Sequence, residues 1–521
     1  MAATSVGAGI LISRLAGLAR VRLISHYFGL KSDAVDAFNA AFRIPNLLQN
    51  LFGEGALSGS FIPVHAALRA RGEHDAAAQT ARTFFTLFSA AVAVLVLIGV
   101  LASPWLTPLL APGFEGPKRD LTIRLVRILF PGAGLLVASA WCLGVLNSHG
   151  KFLLSYTAPV AWNAAMIATL LGFGGGRDLD SLAVYLAWGS VVGSFLQLAV
   201  QWPFAWQLSR HGGGFAITAP VRQIGRNLVP IAISRGAVQL TGYIDQIIAS
   251  WLPTGAVTGL ANAQLLYTLP VSLFGISISA AELPKLSGEG LGDAGATGAD
   301  RLARLAPFRD RMNAGLRQLA FFIVPSAVAF AALGDIVAGT VLQTGRFKLE
   351  DSQYVWGILA GSSIGLLATT MARLYSVAHY ALGDAKRPLR FALVRLTIAG
   401  ALGYVCALVL PPYLGIGQQW GAAGLTASAG VAGWIEFVLL RASLNRRIGV
   451  TGIPASYVSR LWASAILAAA AAWGVRMVLP PLHPLLRGAT VLPVFGAAYL
   501  GAAMVMGVPL PGGLRRFRRT R

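Results

Sequence analysis

Cysteine is nearly absent from this chain, and charge is scarce. Cys142 and Cys406 are its two cysteines, each within an apolar run, so neither a disulfide framework nor a cysteine metal site is suggested. Both read as core or lipid-facing residues. Only 12% of the 521 residues are charged and 55% are hydrophobic, with a mean hydropathy of +0.65. That composition is too apolar for one water-solvated core and requires lipid. Nucleotide-hydrolysis and hydrolase motifs are missing as well. There is no G-x-x-x-x-G-K-[ST] loop and no H-E-x-x-H pair, and no nucleophile elbow is expected, so ATP hydrolysis and these hydrolase chemistries lose their usual carriers. The seven histidines are scattered. His65, His74 and His211 lie in or beside loops without metal-ligand spacing and read as solvated.

What is present is a series of apolar runs. About 20 residues are needed to cross ~30 Å of hydrocarbon, and the fourteen runs of that kind are 5-28, 35-62, 82-110, 122-147, 155-174, 181-207, 227-252, 257-284, 312-340, 353-382, 388-411, 418-441, 459-480 and 487-508. The first carries arginine within its apolar part and has no basic stretch before it, so it reads as a retained span rather than a cleaved signal. Lys and Arg total 42 against 20 Asp and Glu, a formal charge of +22. In a soluble protein such an excess points to nucleic acid. Here it follows topology, because cytoplasmic loops retain basic residues. With an inside N-terminus, one side holds Arg69, Arg71, Lys151, Arg210, Arg222, the basic residues of 285-311, Lys386, Arg387, Arg390, Arg446, Arg447 and the tail from Arg515. The other side holds far fewer. Both termini are therefore expected inside, and the tail reads as an anionic-lipid anchor rather than a nucleic-acid arm.

The expected fold is all-α: a polytopic membrane protein of fourteen transmembrane helices, two six-helix bundles plus two C-terminal helices. Glycine-rich connections at 208-226 and 285-311 support a division into 1-210, 211-445 and 446-521, as in transporters built from related repeats.

Charges inside spans mark function, since each costs roughly 2.5 to 3.5 kcal/mol at a helix centre on insertion scales. Helical spacing puts Asp36, Asn39, Arg43, Asn46, Asn50 and Glu54 in one sector of the second run, away from Phe38, Phe42, Leu48 and Phe52. Arg14, Gly17 and Ser25 share a face of the first run, with Arg20 displaced from it. The seventh aligns Arg235, Gln239, Gly242 and Gln246, with Asp245 at the edge; the eighth aligns Gln264, Thr268, Gly275, Ser279 and Glu282. These stripes are expected to line a cavity, although pairing between helices accounts equally well for Asn39, Asn46, Gln239 and Ser279. Asp36, Glu54, Asp245 and Glu282 would have to neutralise all four of Arg14, Arg20, Arg43 and Arg235 in good geometry, so the arginines are expected to stand as uncompensated cations that invite an anion. Guanidinium suits bidentate phosphate capture, so the tally points to an anionic or phosphorylated substrate. The expected binding set is Arg14, Arg20, Asp36, Arg43, Asn46, Arg235, Gln239 and Gln264. Asp36, Asp245 and Glu282 are candidates for ion or proton coupling, or simply for pairing with arginine. Arg373 reads as a packing residue, and Pro45 and Pro270 as kinks.

Several motifs are distinctive. Ser13-Arg14-Leu15-Ala16-Gly17-Leu18-Ala19-Arg20, Asp36-Ala37-Phe38, Phe42-Arg43-Ile44-Pro45-Asn46-Leu47-Leu48, Glu54-Gly55-Ala56 and Phe61-Ile62-Pro63-Val64 open the chain. Ala111-Pro112-Gly113-Phe114, Leu283-Pro284-Lys285-Leu286-Ser287, Gly345-Arg346-Phe347 and Tyr380-Ala381-Leu382-Gly383-Asp384 follow. Together they resemble the MurJ (MviN) family of lipid II flippases, within the multidrug/oligosaccharidyl-lipid/polysaccharide exporter superfamily. The resemblance implies alternating access in a bacterial plasma membrane. The pyrophosphate and sugar-peptide headgroup of an undecaprenyl-linked substrate would pass a cationic cavity while the tail stays in lipid beside the last two helices. It implies that Arg14, Arg20 and Asp36 belong to that cavity, that membrane lipid and cell-wall synthesis proteins are the partners, and that no cofactor or metal is used beyond coupling to membrane potential or a monovalent ion.

The chain departs from the family pattern at four places. Val21 stands where an acid follows the second arginine, and Gln49 where an arginine follows Pro-Asn-Leu-Leu. Leu265 and Thr268 replace an arginine and an acid of the eighth span. Arg43 and Arg235 are expected to compensate for the two missing arginines. Other readings stay open at this level: an exporter of another polyprenyl-linked glycan, a multidrug antiporter, a glycan-lipid polymerase or transferase, or a non-transporting scaffold.

Overall fold

The computed structural model describes residues 2–210, 213–279, 282, 286, 305–480 and 482–510. His211, the basic tail from Arg515 and most of the connection 285–311 lie outside the described residues.

The apolar runs fall on helix among the described residues. In chain order these are α1 (Ala2–Phe28), α2 (Asp33–Phe52), α3 (Glu54–Ala70), α4 (His74–Leu110), α5 (Gly116–Ser148), α6 (Phe152–Thr157), α7 (Pro159–Phe173), α8 (Leu179–Ser209), α9 (Ala219–Ser250) and α10 (Ala256–Pro270). They continue with α11 (Ala306–Leu342), α12 (Leu349–Ala381), α13 (Lys386–Tyr404), α14 (Gly421–Ile448), α15 (Ala455–Val478) and α16 (Pro484–Val505). Ten helices among the described residues are long and apolar enough to cross a membrane: α4, α5, α8 and α10 to α16. The polar residues of α1, α2 and α9, and the breaks after α2 and α6, keep those segments below that mark. No strand occurs among the described residues beyond an isolated bridge between Thr344 and Phe347.

Two breaks refine the sequence reading. The second run is two helices: Gly53 caps α2 with its N–H on Gln49 O at 2.7 Å, and Glu54 starts α3. Glu54 therefore leaves the α2 stripe in which helical spacing put it. Pro45 does not interrupt α2, whereas Pro270 is followed directly by a π-turn over Val271–Ile276, a common site of helix deformation.

The chain packs as two compact units, Met1–Thr258 with Thr344–Phe347, and Gly259–Gln343 with Lys348–Arg521. This packing division assigns α9 to the first unit and the last helix pair to the second. In the first unit, Val35, Phe38, Leu125, Val126, Leu170 and Leu186 share one core, and Leu57, Phe61, Phe84, Trp141 and Val145 share another. Cys142 lies in the second of these. His65 is also buried there, stacked on Phe61 at 5.1 Å and bonded to Ser148 Oγ at 2.8 Å. It is a packed histidine, not the solvated one its place near a loop suggests. By contrast Leu97, Leu101 and Trp105 of α4 are 58%, 64% and 72% exposed, which only lipid makes tolerable over so wide an apolar surface.

The second unit is built on close helix approach. Gly357, Gly361 and Gly365 recur every fourth residue along α12; added Cβ atoms there would come within 2.3 Å of Trp420 Cζ3, 2.4 Å of Ala423 O and 2.3 Å of Gly430 Cα. This small-residue stripe lets α12 and α14 touch backbone to backbone, the source of association energy where hydrophobic burial gives none. Gly361-Ser362-Ser363-Ile364-Gly365 has the letters of a nucleophile elbow, but it lies inside α12, with Ser363 Oγ donating to Ala360 O at 2.6 Å. The last helix pair is held to α11 by polar contacts. Arg476 grips Asp335 through both terminal nitrogens (2.8 and 3.2 Å), Trp473 Nε1 donates to Ala332 O at 3.0 Å, and Tyr499 donates to Phe321 O at 2.6 Å.

The glycine stripe gives an opposed pair of expectations. Gly361→Ala should destabilise by about 1–3 kcal/mol through overpacking. Gly474→Ala in α15, where an added Cβ meets nothing within 4 Å, should be neutral or stabilising by about 0.5–1 kcal/mol. Denaturant unfolding in detergent reads both signs.

Candidate functional site

The expected site residues of the first unit fall into three groups, and the most buried is Asp36. A buried carboxylate must find donors or abandon its charge. Asp36 is 1% exposed. Its Oδ1 accepts from Thr258 N at 2.9 Å and Thr258 Oγ1 at 2.6 Å, and its Oδ2 from Gly255 N at 2.8 Å and Lys118 Nζ at 3.1 Å. Lys118 also pairs with Asp33 at 2.9 Å and packs 4.4 Å from the Phe114 ring, while Asp33 accepts from Thr254 at 2.7 Å. Asn39 donates to Thr258 Oγ1 at 3.1 Å. This cluster ties α2 to the start of α5 and to the turn between α9 and α10. Two of the donors are backbone N–H groups at the start of α10, so the charge also caps that helix. With both oxygens committed, Asp36 is placed as a structural anchor, whereas its position in the stripe suggested a substrate contact or a coupling site.

The second group lies where α9 packs on α2 and α3. Tyr243 donates to Arg43 O at 3.2 Å, and the Arg43 guanidinium stands 5.6 Å from the Tyr243 ring. A Cβ on Gly242 would lie 2.0 Å from Arg43 Nη2, so glycine makes room for the guanidinium. Asp245 supplies the opposing charge. Similarly, Arg235 lies over Gly55 and feels Glu54. The polar stripes of α2 and α9 thus meet each other, and Arg43 and Arg235 each have a carboxylate in electrostatic range. The expectation that they stand as uncompensated cations is corrected. Asn46 and Gln239 are half-buried on the same two helices.

The third group belongs to α1 and α7. Arg14 is exposed and Arg20 is half-buried. Arg20 lies 4.3 Å over the Trp162 ring, a cation–π contact, with Nη1 3.9 Å from Met166 Sδ. Trp162 is itself fixed by its Nε1–H on Ser190 O and Oγ at 3.1 and 3.2 Å. The Nε of Arg20 and the Oδ1 of the adjacent, 4% exposed Asn163 are buried without partners among the described residues. Arg20 forms no ion pair there either. Burying a guanidinium against an aromatic face rather than a carboxylate keeps its full charge available to an incoming anion.

In the second unit Gln264 is exposed, its amide 3.4 Å from Thr268 Oγ1, and Glu282 is half-buried near Gly315 of α11. Arg373 is exposed on α12 rather than packed. Among the charged contacts unread in the sequence are two between apolar runs: Arg395–Glu436 at 3.1 Å, joining α13 to α14, and Arg476–Asp335. Single opposite charges in separate apolar runs were the available signal.

The family described as Lipid II flippase MurJ matches residues 24–484. The chain belongs to the MurJ family. Among curated relatives it is 30% identical to the Lipid II flippase MurJ of Burkholderia cenocepacia over 95% of both chains. It is 31% identical to the Probable lipid II flippase MurJ of Rhizobium tropici over 85% of this chain and 80% of that one. The fold resembles a solved MurJ in an inward closed conformation, with TM-score 0.75 at 19% identity over 96% and 98% of the two chains. It also resembles an inward-facing MATE multidrug transporter, with TM-score 0.65 at 16% identity over 86% and 98%. Multidrug exporters and MurJ thus share this architecture.

The Asp36 cluster sets an order of losses. Asp36→Ala strands Lys118 and two buried backbone donors and should cost about 3–5 kcal/mol. Lys118→Met should cost less, because Asp36 keeps three donors and the lysine is partly exposed. Unfolding titrations of purified protein measure the order; an equal or reversed order contradicts the anchoring role.

Proposed function

We infer that this chain translocates lipid II, the lipid-linked peptidoglycan precursor, across the bacterial plasma membrane by alternating access. Membership of the MurJ family over residues 24–484 carries this reading, and the α1 arginines supply chemistry suited to it. The family is one of transporters, so the chain moves its substrate rather than transforming it. A diphosphate spreads negative charge over several acceptor oxygens, and a guanidinium fork binds such groups through paired, charge-assisted bonds.

Arg20 is the favoured contact, because its charge faces Trp162 rather than a carboxylate. Arg14 lies six residues earlier on the same helix and is exposed, in position to contribute to the same anion. Arg43 and Arg235 would join by exchanging Asp245 and Glu54 for substrate oxygens, a route by which they substitute for arginines missing at Gln49 and Leu265. Asn46, Gln239 and Gln264 are suited to sugar hydroxyls and peptide amides. The Asp36 cluster would serve this reading as an anchor that fixes α2 against the α9–α10 turn.

Energy would come from membrane potential or a monovalent ion. Asp245 and Glu282 are better suited than Asp36 to such coupling, because the donors around Asp36 leave its oxygens no capacity. Both termini would lie in the cytoplasm, a reading supported by the basic residues that one set of loops carries. Cell-wall synthesis proteins at the outer face are the natural takers of the product.

A strain depleted of its own flippase tests this. Expressing the chain should restore growth and make the precursor accessible to a probe at the outer face; failure with normal membrane expression overturns the reading. Arg20→Ala should lower precursor binding by roughly ten- to a hundred-fold, the equivalent of about 1.5–3 kcal/mol for a lost charged hydrogen bond. Arg235→Ala with unchanged complementation would remove that residue from the proposed set.

A further inference from the structure

The α5 helix carries a second basic feature, unused by the transport site. Arg124 and Arg127 are exposed on a span whose apolar window is 72% buried, so both lie on its outward face. They line a groove of about 460 Å³ with Asp120, Ile123, Ile128 and Trp188 of α8. Every wall of this groove belongs to the first unit.

Depth decides what can fill it. At 1.5 Å rise per residue, Arg124 and Arg127 lie about 12 and 16 Å along the helix from Gly116. The 33 residues of α5 extend about 50 Å against ~30 Å of hydrocarbon, leaving about 20 Å for the two headgroup layers together. Arg124 therefore sits near the edge of the hydrocarbon and Arg127 just within it. Trp188, 54% exposed, and Trp105, 72% exposed, lie at a similar height on α8 and α4, where interfacial tryptophans gather. A guanidinium at this depth must reach up to polar groups or be met by them.

Arg127 is held in place. Its Nε donates to Ser103 Oγ of α4 at 3.0 Å, and that hydroxyl donates to Val100 O at 2.9 Å. The bond uses the inner nitrogen and leaves the two terminal nitrogens of this groove-lining residue out of it. Neither Arg124 nor Arg127 forms an ion pair among the described residues. Asp120 offsets one of the two charges, and the groove keeps a net positive charge.

We propose that this groove is a binding site for the phosphate of an anionic phospholipid. The surface is lipid-facing by depth and by its exposed apolar neighbours, so its occupant is a lipid headgroup, and the net charge selects an anionic one. On the orientation proposed above, the lipid belongs to the outer leaflet; the site itself does not depend on that orientation or on the transported substrate.

Native mass spectrometry of the purified full chain, loaded with phosphatidylglycerol or phosphatidylcholine, tests this. The unsubstituted chain should retain phosphatidylglycerol in preference, Arg124→Gln with Arg127→Gln should reduce that retention roughly ten-fold or more, and Asp120→Asn should increase it. Equal retention of the two lipids, or unchanged retention in the double variant, overturns the proposal. Displacement of phosphatidylglycerol by excess inorganic phosphate would make it a general anion site and overturn the lipid assignment. Should the double variant fail to fold, each single substitution is expected to give a partial loss, and no loss in either overturns the proposal as well.

Discussion

A single buried carboxylate organises the first unit. Asp36 receives two backbone N–H groups, a hydroxyl and an ammonium, and the low polarity around it strengthens each bond while making any vacancy costly. Through these four donors the positions of α2, α5 and the α9–α10 turn are set together. Gly113, whose N–H donates to Ser250 Oγ at 3.1 Å and whose missing Cβ would otherwise collide with Ser250 O, lets the α4–α5 turn lie against the end of α9 beside that cluster.

The charges elsewhere follow the same economy. Arg43 and Arg235 lie in electrostatic range of Asp245 and Glu54, while Arg395 pairs with Glu436 and Arg476 with Asp335. Arg20 differs, since an aromatic face takes the place of a carboxylate. A guanidinium held by something that does not neutralise it keeps its charge for an anion, which is why Arg20 rather than the paired arginines is the favoured contact in the proposed function.

Backbone shape does comparable work at Gly345. It adopts φ +56°, and a Cβ there would lie 2.4 Å from His26 O; next to it Arg346 N donates to that same oxygen at 2.9 Å and Thr344 Oγ1 sits 2.9 Å from His26 Nδ1. The Gly345-Arg346-Phe347 motif is thereby explained as a clasp on the end of α1, within the first unit.

Periodicity and composition were sufficient for the all-α membrane fold, because a run of apolar residues long enough to cross hydrocarbon has few alternatives to helix. They were sufficient also to place Arg14, Arg20, Arg43 and Arg235 within helices. The partners of those charges come from helices far apart in sequence. Which carboxylate faces Arg43, that α9 packs with the first unit, that α2 ends at Gly53, and that Asp36 is an anchor were decided only by tertiary structure. Helical spacing gives the direction of a side chain about its own axis, and the electrostatic state of a buried group depends on what another helix brings to meet it.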